Sequence, residues 1–259
     1  RNLWAVSLTS FFMDISSEMV INILPLFLSN VLGVKTNIIG VIEGVAEATS
    51  SLLKVFSGWL SDKLKARKWL AVTGYAFSAL SKPFFYFANS WGMVAGVRWA
   101  DRVGKGIRTA PRDALVADSV RADMRGLAFG FHRAMDTAGA MIGLIIAAIV
   151  VWLGQRANID LTRPTFQTIV LISLVPAFLA VLSLIIGAQD VKVEGQRALP
   201  KFSLKSMGKP FGIYLVIVSI FTLGNSSDAF LVLRAQNLGI SVLCILLMLL
   251  VFKLVYTLI

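Results

Sequence analysis

Five ionisable residues, Arg98, Asp101, Lys105, Arg108 and Arg112, follow one another at intervals of 3, 4, 3 and 4 residues. That spacing puts them on one face of an α-helix. The segment that holds them, residues 97–118, reads VRWADRVGKGIRTAPRDALVAD and carries eight charged side chains. Charge gathered on one helical face can bind a polar solute, hold a counter-charge or pass protons. Three smaller sets could share that chemistry. Asp14, Glu18 and Asn22 recur at i, i+4 and i+8; Glu43, Glu47 and Lys54 fall approximately on one face; His132 and Asp136 are one turn apart. A carboxylate in a low-dielectric cavity can load and release a proton near neutral pH, which is what coupling to a proton gradient needs. Asp14, Glu47 and Asp136 are the acids best placed for that role. At least half of the acids are expected to be structural partners of Arg98, Arg102, Lys105, Arg133 or Lys82, and His132 reads first as a packing histidine near a helix end.

These residues must be carried by elements that live in lipid. Hydrophobic residues make up 57% of the 259 and charged residues 15%, and the mean hydropathy is +0.78. Soluble domains run at about 45–50% apolar and ~25% charged. The uncharged runs 137–155, 164–189, 210–227 and 235–252 are each about long enough to cross the ~30 Å hydrocarbon core. The chain is therefore read as an all-α, multi-pass membrane protein with eight spans near 3–30, 38–60, 69–90, 91–115, 126–153, 166–187, 211–233 and 240–259. If span four runs inward from Trp91, Arg98 lies ~10 Å deep and Lys105 ~20 Å deep. Four such charges facing lipid would cost on the order of 10 kcal/mol. The charged face must therefore line a protein interior or a wet cavity.

The net charge of +11 sits in short gaps between apolar runs, which suits membrane orientation rather than nucleic-acid binding. With the N-terminus cytoplasmic, the inner loops hold Lys63, Lys65, Arg67, Lys68, Arg121, Arg125, Lys192, Arg197, Lys201, Lys205 and Lys209. The outer loops hold Lys35, Arg156, Arg163 and Arg234. Eleven against four places the N-terminus inside. The single cysteine, Cys244, precludes an internal disulfide, and the single histidine, His132, precludes a His-rich metal site. No cofactor or metal is implied. GKGIRT (104–109) lacks the flanking residues and the preceding strand of a phosphate loop. The first apolar run, with Asp14, Glu18 and Pro25, is too long and polar for a cleavable signal.

Residues 189–210 form the longest loop, basic and containing Gly and Pro, and separate a six-span half (1–188) from two further spans (211–259). FFMDISSE (11–18) and FTLGNSSD (221–228) share a pattern at an offset of 210, and each precedes a Leu-Gly pair, Leu32-Gly33 and Leu238-Gly239. Parallel six-span repeats of this kind build one large class of transporter. Aligning the Leu-Gly pairs sets Lys253 opposite Glu47, so both are expected to face a central cavity.

At the inner end of span two, GWLSDKLKARKWL (58–70) resembles the loop signature G-x-L-x-D-[RK]-x-G-[RK]-[RK] of the major facilitator superfamily. Gly58, Leu60, Asp62, Lys63, Arg67 and Lys68 match; Lys65 and Ala66 depart from it. Span four is similar to the pattern R-x-x-x-G-x-G-x-G, with Arg98, Gly104 and Gly106 in place and Arg102 at the first glycine. Span five carries Gly139 and Gly143 of G-x-x-x-G-P, with Leu144 where the proline would stand. The resemblance implies twelve spans in two halves around a cavity opened alternately to each side. It ties Arg98 to proton coupling, and assigns Gly58, Asp62, Arg67, Gly104, Gly106, Gly139 and Gly143 to the conformational switch. The second half's loop signature would fall near 264–274, so the chain is expected to hold a first half plus two spans.

The expected activity is proton-coupled secondary transport of a small polar or zwitterionic organic solute, with efflux ahead of uptake as its direction. Proton coupling is assigned to Asp14, Glu47, Asp136 and Arg98. Solute contacts are assigned to Asp14, Glu18, Asn22, Arg98, Lys105 and Asp228, on a cavity lined by spans one, four, five and seven. A cation or metal carrier using Asp14, Glu18 and Glu43 as oxygen ligands is the alternative. An enzyme is disfavoured, because no Cys/His/Ser constellation has catalytic spacing. The partners implied are the solute, protons and the lipid bilayer of the cell's inner membrane, with no nucleic acid, for a monomer.

Overall fold

The computed structural model describes residues 1–64, 66–155, 159–191, 208–224 and 227–258. Among them every regular element is helical. The first span is α1 (Asn2–Ile21) followed by a short helix Leu24–Leu26 and a π-helical stretch Phe27–Val31. Pro25 accounts for the break: it has no N–H, and its ring clashes with the carbonyl four residues back, that of Ile21. Then come α2 (Thr36–Leu64), α3 (Arg67–Ser81, extended by Pro83–Tyr86), α4 (Trp91–Asp118), α5 (Arg125–Gln155) and α6 (Arg163–Gly187). These six agree with the expected spans to within a few residues. The expected span 211–233 is instead two helices, α7 (Gly208–Leu223) and α8 (Asp228–Asn237). The Ser227 hydroxyl accepts the Ala229 N–H at 3.4 Å and so starts α8 afresh. The last helix is α9 (Val242–Leu258). Most of the expected inter-half loop, with Lys192, Arg197, Lys201 and Lys205, lies outside the described residues, as do Lys65, Arg156, Asn225 and Ser226.

Three stretches, Asn2–Val31, Ala122–Gln155 and Arg163–Gly187, are long and apolar enough to cross a membrane on composition alone. The 29 residues of α2 and 28 of α4 reach about 40 Å at 1.5 Å per residue, more than the ~30 Å core. They fall short only in apolarity, because each turns charged side chains inward. The outer surface is apolar: Trp4, Leu52, Phe56, Leu153, Ile186 and Phe221 are all exposed. This is a multi-pass helical membrane bundle.

Within it, α1 packs between α5 and α6, and α4 between α2 and α3. Glycines set both groupings. A Cβ on Gly143 would lie 2.5 Å from the Ile15 carbonyl oxygen, and one on Gly139 would meet that of Phe11, so α1 and α5 touch backbone to backbone. A Cβ on Gly104 would sit 2.5 Å from Ser78 Oγ, and one on Gly106 would sit 2.6 Å from Leu53 Cβ. The two glycines of GKG thus admit α3 on one side and α2 on the other. Gly33 and Gly239, the glycines of the two Leu-Gly pairs, have φ of 64° and 82°. This left-handed conformation is the usual helix terminator and favours glycine, so the sequence repeat is matched by a shared backbone turn. α9 packs on α5, while α8 reaches α2 and the Leu24–Leu26 turn.

Candidate functional site: a charged central cavity

A cavity of about 190 Å³ opens between α1, α2, α4, α8 and α9, room for about six waters at ~30 Å³ each. The i, i+4, i+8 set on α1 delivers Asp14, Glu18 and Asn22 to it, α2 delivers Glu43 and Glu47, and α4 delivers Arg98, Asp101, Arg102, Lys105 and Arg108. Asp228 comes from the first turn of α8 and Lys253 from α9. All six residues expected to touch a solute are therefore brought together. Glu47 and Lys253 also share this wall, as the aligned Leu-Gly pairs anticipate. Among the expected spans, one and four contribute, and span seven does so through α8. Among the described residues no lining side chain comes from α5, and α2 takes its place.

Most of these charges are already paired. Arg98, 1% exposed, donates Nε to Glu43 Oε1 at 3.0 Å and Nη2 to Glu43 Oε2 at 2.6 Å. Such a two-pronged contact fixes the guanidinium in plane and rotation. The same Arg98 lies 3.8 Å from Asp101 and 3.9 Å from Glu47. Glu47, whose side chain is 53% exposed, takes Arg102 at 2.9 Å. Glu18 faces Lys253 at 3.6 Å and accepts the Asn22 amide at 2.9 Å. Arg108 lies over the Tyr75 ring, 4.5 Å from its centroid. By contrast, Asp14 and Lys105 both face the cavity, and no hydrogen bond or ion pair links either side chain to another described residue. Each lies in the electrostatic field of the other.

The sequence offers Glu43 only as a candidate cation ligand or ion-pair partner, and it is the principal partner of Arg98. Which acid of α2 meets which base of α4 depends on the register between helices, which spacing along one helix does not encode. Lys82, expected only as a counter-charge, plays another part. Its ammonium, 2% exposed, donates to the hydroxyls of Ser16 and Ser17 on α1 and lies 3.6 Å from Met13 Sδ. It sits at the α3 break, just before Pro83.

Asp136 does not reach the cavity. It is buried between α5 and α1, with Oδ2 3.7 Å from His132 Nε2, and His132 Nδ1 is 3.3 Å from Ser7 Oγ. Of the expected switch residues, Gly58 packs α2 on α4: a Cβ placed on it would lie 3.4 Å from Ala110 Cβ. Arg67 donates to the Ala114 carbonyl at 2.9 Å and is paired with Asp118 and, at 3.4 Å, with Asp62. It thus joins the start of α3 to the ends of α2 and α4. On the same end of the bundle, Lys68 bonds the Ile185 carbonyl and Asp190, and Asn2 bonds the Gln189 backbone.

Comparison with known proteins agrees with this architecture. The Major Facilitator Superfamily model matches residues 6–259. An uncharacterized MFS-type transporter of Methanocaldococcus jannaschii is 34% identical over 237 residues, 92% of this chain and 57% of that protein. An uncharacterized protein of Mycobacterium tuberculosis is 34% identical over 118 residues, 45% of this chain and 29% of its own length. The chain thus spans little more than half of the longer-matching relative. Among solved structures, a D-xylose–proton symporter superposes with a TM-score of 0.66 over 98% of this chain and 66% of its own, at 11% identity. A POT family transporter superposes at 0.64 over 86% and 46%, at 16% identity. At such identities the likeness is one of fold. A family model over nearly the whole length, the archaeal relative and the shared bundle together place this chain in the Major Facilitator Superfamily of membrane transporters.

Proposed function

We propose that this chain carries the solute- and proton-handling half of a proton-coupled secondary transporter, whose cargo is a small polar or zwitterionic organic molecule. The observation that carries the reading is the uneven pairing of the cavity. Arg98, Arg102, Glu18, Glu43 and Glu47 are tied to one another or to Lys253, whereas Asp14 and Lys105 face the same space with no such partner among the described residues. A solute bearing both an ammonium and a carboxylate would satisfy the two together. A proton arriving on Asp14 would remove the charge that holds the ammonium, and so release the solute while letting the walls close. Arg98 holds α2 to α4 through Glu43 and lets that wall move as one body. The glycine contacts of α4 and α5, with the Arg67 ties, supply the surfaces on which the helices rock between access states.

The cation-carrier alternative asks Asp14, Glu18 and Glu43 to converge on one ion. Glu43 is committed to Arg98 and Glu18 to Lys253 and Asn22, and no group of three metal-type ligands occurs among the described residues. The solved neighbours named as a D-xylose–proton symporter and as proton dependent oligopeptide transporters support the proton reading by their shared fold.

The test uses the full-length protein in proteoliposomes, with radiolabelled glycine, dialanine and xylose as probes, with and without an imposed pH gradient. Gradient-driven accumulation of a zwitterionic probe is expected, and Asp14→Asn, which removes the charge that holds the ammonium, should abolish accumulation and exchange of that probe alike. Flux of every probe indifferent to the gradient would overturn the proton reading.

A further inference from the structure

α1 and α5 enclose a second polar column that the cavity does not use. Ser7, Ser10 and Asp14 follow one face of α1 at steps of three and four residues. His132 and Asp136 face them from α5. Ser7 Oγ is 3.3 Å from His132 Nδ1, His132 Nε2 is 3.7 Å from Asp136 Oδ2, and the Ser10 hydroxyl lies beside Asp136. Asp136 in turn lies within the field of Asp14 in the cavity wall. The column is dry of lipid: Ser7, Ser10, His132 and Asp136 are all buried. The Gly139 and Gly143 contacts with the α1 backbone close its flank. Buried polar groups are nearly always hydrogen-bonded, and an orphan costs about 1–3 kcal/mol. Yet His132 Nε2 and Asp136 Oδ1 have no hydrogen-bond partner among the described residues. Neighbouring elements set the field of the column. Arg112 of α4 donates to Ser10 at 3.2 Å and is paired with Asp113, Tyr75 of α3 shares a hydrogen bond with Ser10 at 2.9 Å, and Arg133 of α5 adds a further positive charge near Asp136.

We propose that Asp136, His132 and Ser7 form a proton relay between Asp14 in the cavity and the end of the bundle where α1 begins. This rests on the proton-coupled reading and adds the route. A proton leaves the Asp14 carboxyl and, through water, reaches the Asp136 carboxylate. It passes from Asp136 to His132 Nε2 as the proton on Nδ1 is given to Ser7 Oγ, whose own hydroxyl proton goes on to water at the helix end. Only O–H and N–H bonds change, and one proton enters for each that leaves. Imidazole suits the middle position because its two nitrogens accept on one side while donating on the other. Ser10, bound to Arg112 and Tyr75, positions Asp136 and is not itself a carrier. The solute path through Lys105 and the proton path through His132 therefore part company at Asp14.

The experiment measures proton movement and solute exchange separately in proteoliposomes of the full-length protein, with a trapped pH dye and dialanine as the probe. His132→Gln should slow dialanine-linked proton flux on the order of a hundredfold, the lower end of what a positioned proton carrier contributes. Dialanine counterflow, which needs no net proton movement, should continue. Ser7→Ala, which removes only a hydroxyl, should slow proton flux in the same way. His132 is the sole histidine, so ¹⁵N-histidine labelling gives one imidazole spectrum, whose titration should change when Asp14 is replaced by Asn. Proton flux at the wild-type rate in His132→Gln, or loss of counterflow together with proton flux in both variants, overturns the relay. Absence of any dialanine-linked proton flux in the wild type overturns the coupling reading itself, a different result from failure of the variants alone.

Discussion

Arg98→Met with Glu43 left in place isolates the central electrostatic decision of the bundle. The guanidinium is 1% exposed and holds both oxygens of Glu43, which is itself 8% exposed. Removing the cation strands that carboxylate between α2 and α4. Breaking a buried pair from one side costs about 3–5 kcal/mol, because the surviving charge is left uncompensated. Glu43→Leu should cost less, since Arg98 keeps Asp101 at 3.8 Å and Glu47 at 3.9 Å. The double variant Arg98→Met/Glu43→Leu places apolar groups of similar volume opposite one another, a replacement often neutral or stabilising by about 1–4 kcal/mol. The full-length protein is unfolded in mixed micelles with rising SDS and followed by tryptophan fluorescence. Arg98→Met should lower the folding equilibrium constant by roughly a hundredfold or more, at about 1.4 kcal/mol per factor of ten. The double variant should recover most of that loss. It should nevertheless fail in solute uptake, because Arg98 and Glu43 line the cavity. Arg98→Met as stable as the wild type, or a double variant no more stable than Arg98→Met, would refute the assignment of Arg98 and Glu43 as one buried unit.

Two further expectations test the packing that positions the site. Gly143→Ala would bring a methyl to 2.5 Å of the Ile15 carbonyl and should destabilise by about 1–3 kcal/mol, as overpacked cores do, in the same SDS titration; Gly126→Ala, which meets nothing within 4 Å, should leave the midpoint unchanged or raised. Gly40 of α2 admits Phe230 of α8, with a Cβ position only 2.7 Å from Cζ where ordinary contact needs about 3.5–4.0 Å. Gly40→Leu should therefore hold α8 away from α2, read as a longer spin-label distance between the two helices, and an unchanged distance would show that α8 does not close on that glycine.

The later spans were legible because uncharged runs of 18 residues or more leave little choice in lipid, and the charged face of α4 because 3-4 spacing is a property of one helix. The breaks were less so. Pro25 and Pro83 are visible as letters, but whether a proline kinks a span or merely starts a new turn depends on what packs beside it: Pro111 and Pro176 sit inside continuous helices. The Ser227–Asp228 start of α8 could have been read as a helix cap and was hidden by the apolar run around it. The cavity set on α1 and α4 followed from helical periodicity, and Asp228 of α8 was marked only by the repeated Ser-Ser-acid segment. The place of α2 did not, since Glu43 and Glu47 are separated from Arg98 by more than fifty residues, and their register is fixed by contacts between helices, Gly106 with Ser50 and Leu53 and Gly58 with Ala110.

That register divides the charge of α4 between two kinds of work. Gly104 and Gly106 draw α3 and α2 to within backbone distance on either side of Lys105, so the lysine between them has no neighbouring helix to meet and projects into the cavity. One turn and two turns earlier, Arg102 and Arg98 meet the acids of α2 and become part of the wall. The glycine at the first position of the related pattern would remove Arg102 and leave Glu47 without its 2.9 Å partner. In this chain the arginine instead adds a base that an additional acid must balance, and Glu47, half-exposed at the cavity edge, balances it. A solute carboxylate approaching Lys105 therefore meets that lysine and Arg108, which lies over the Tyr75 ring and has no carboxylate partner among the described residues, rather than the whole charged face of α4.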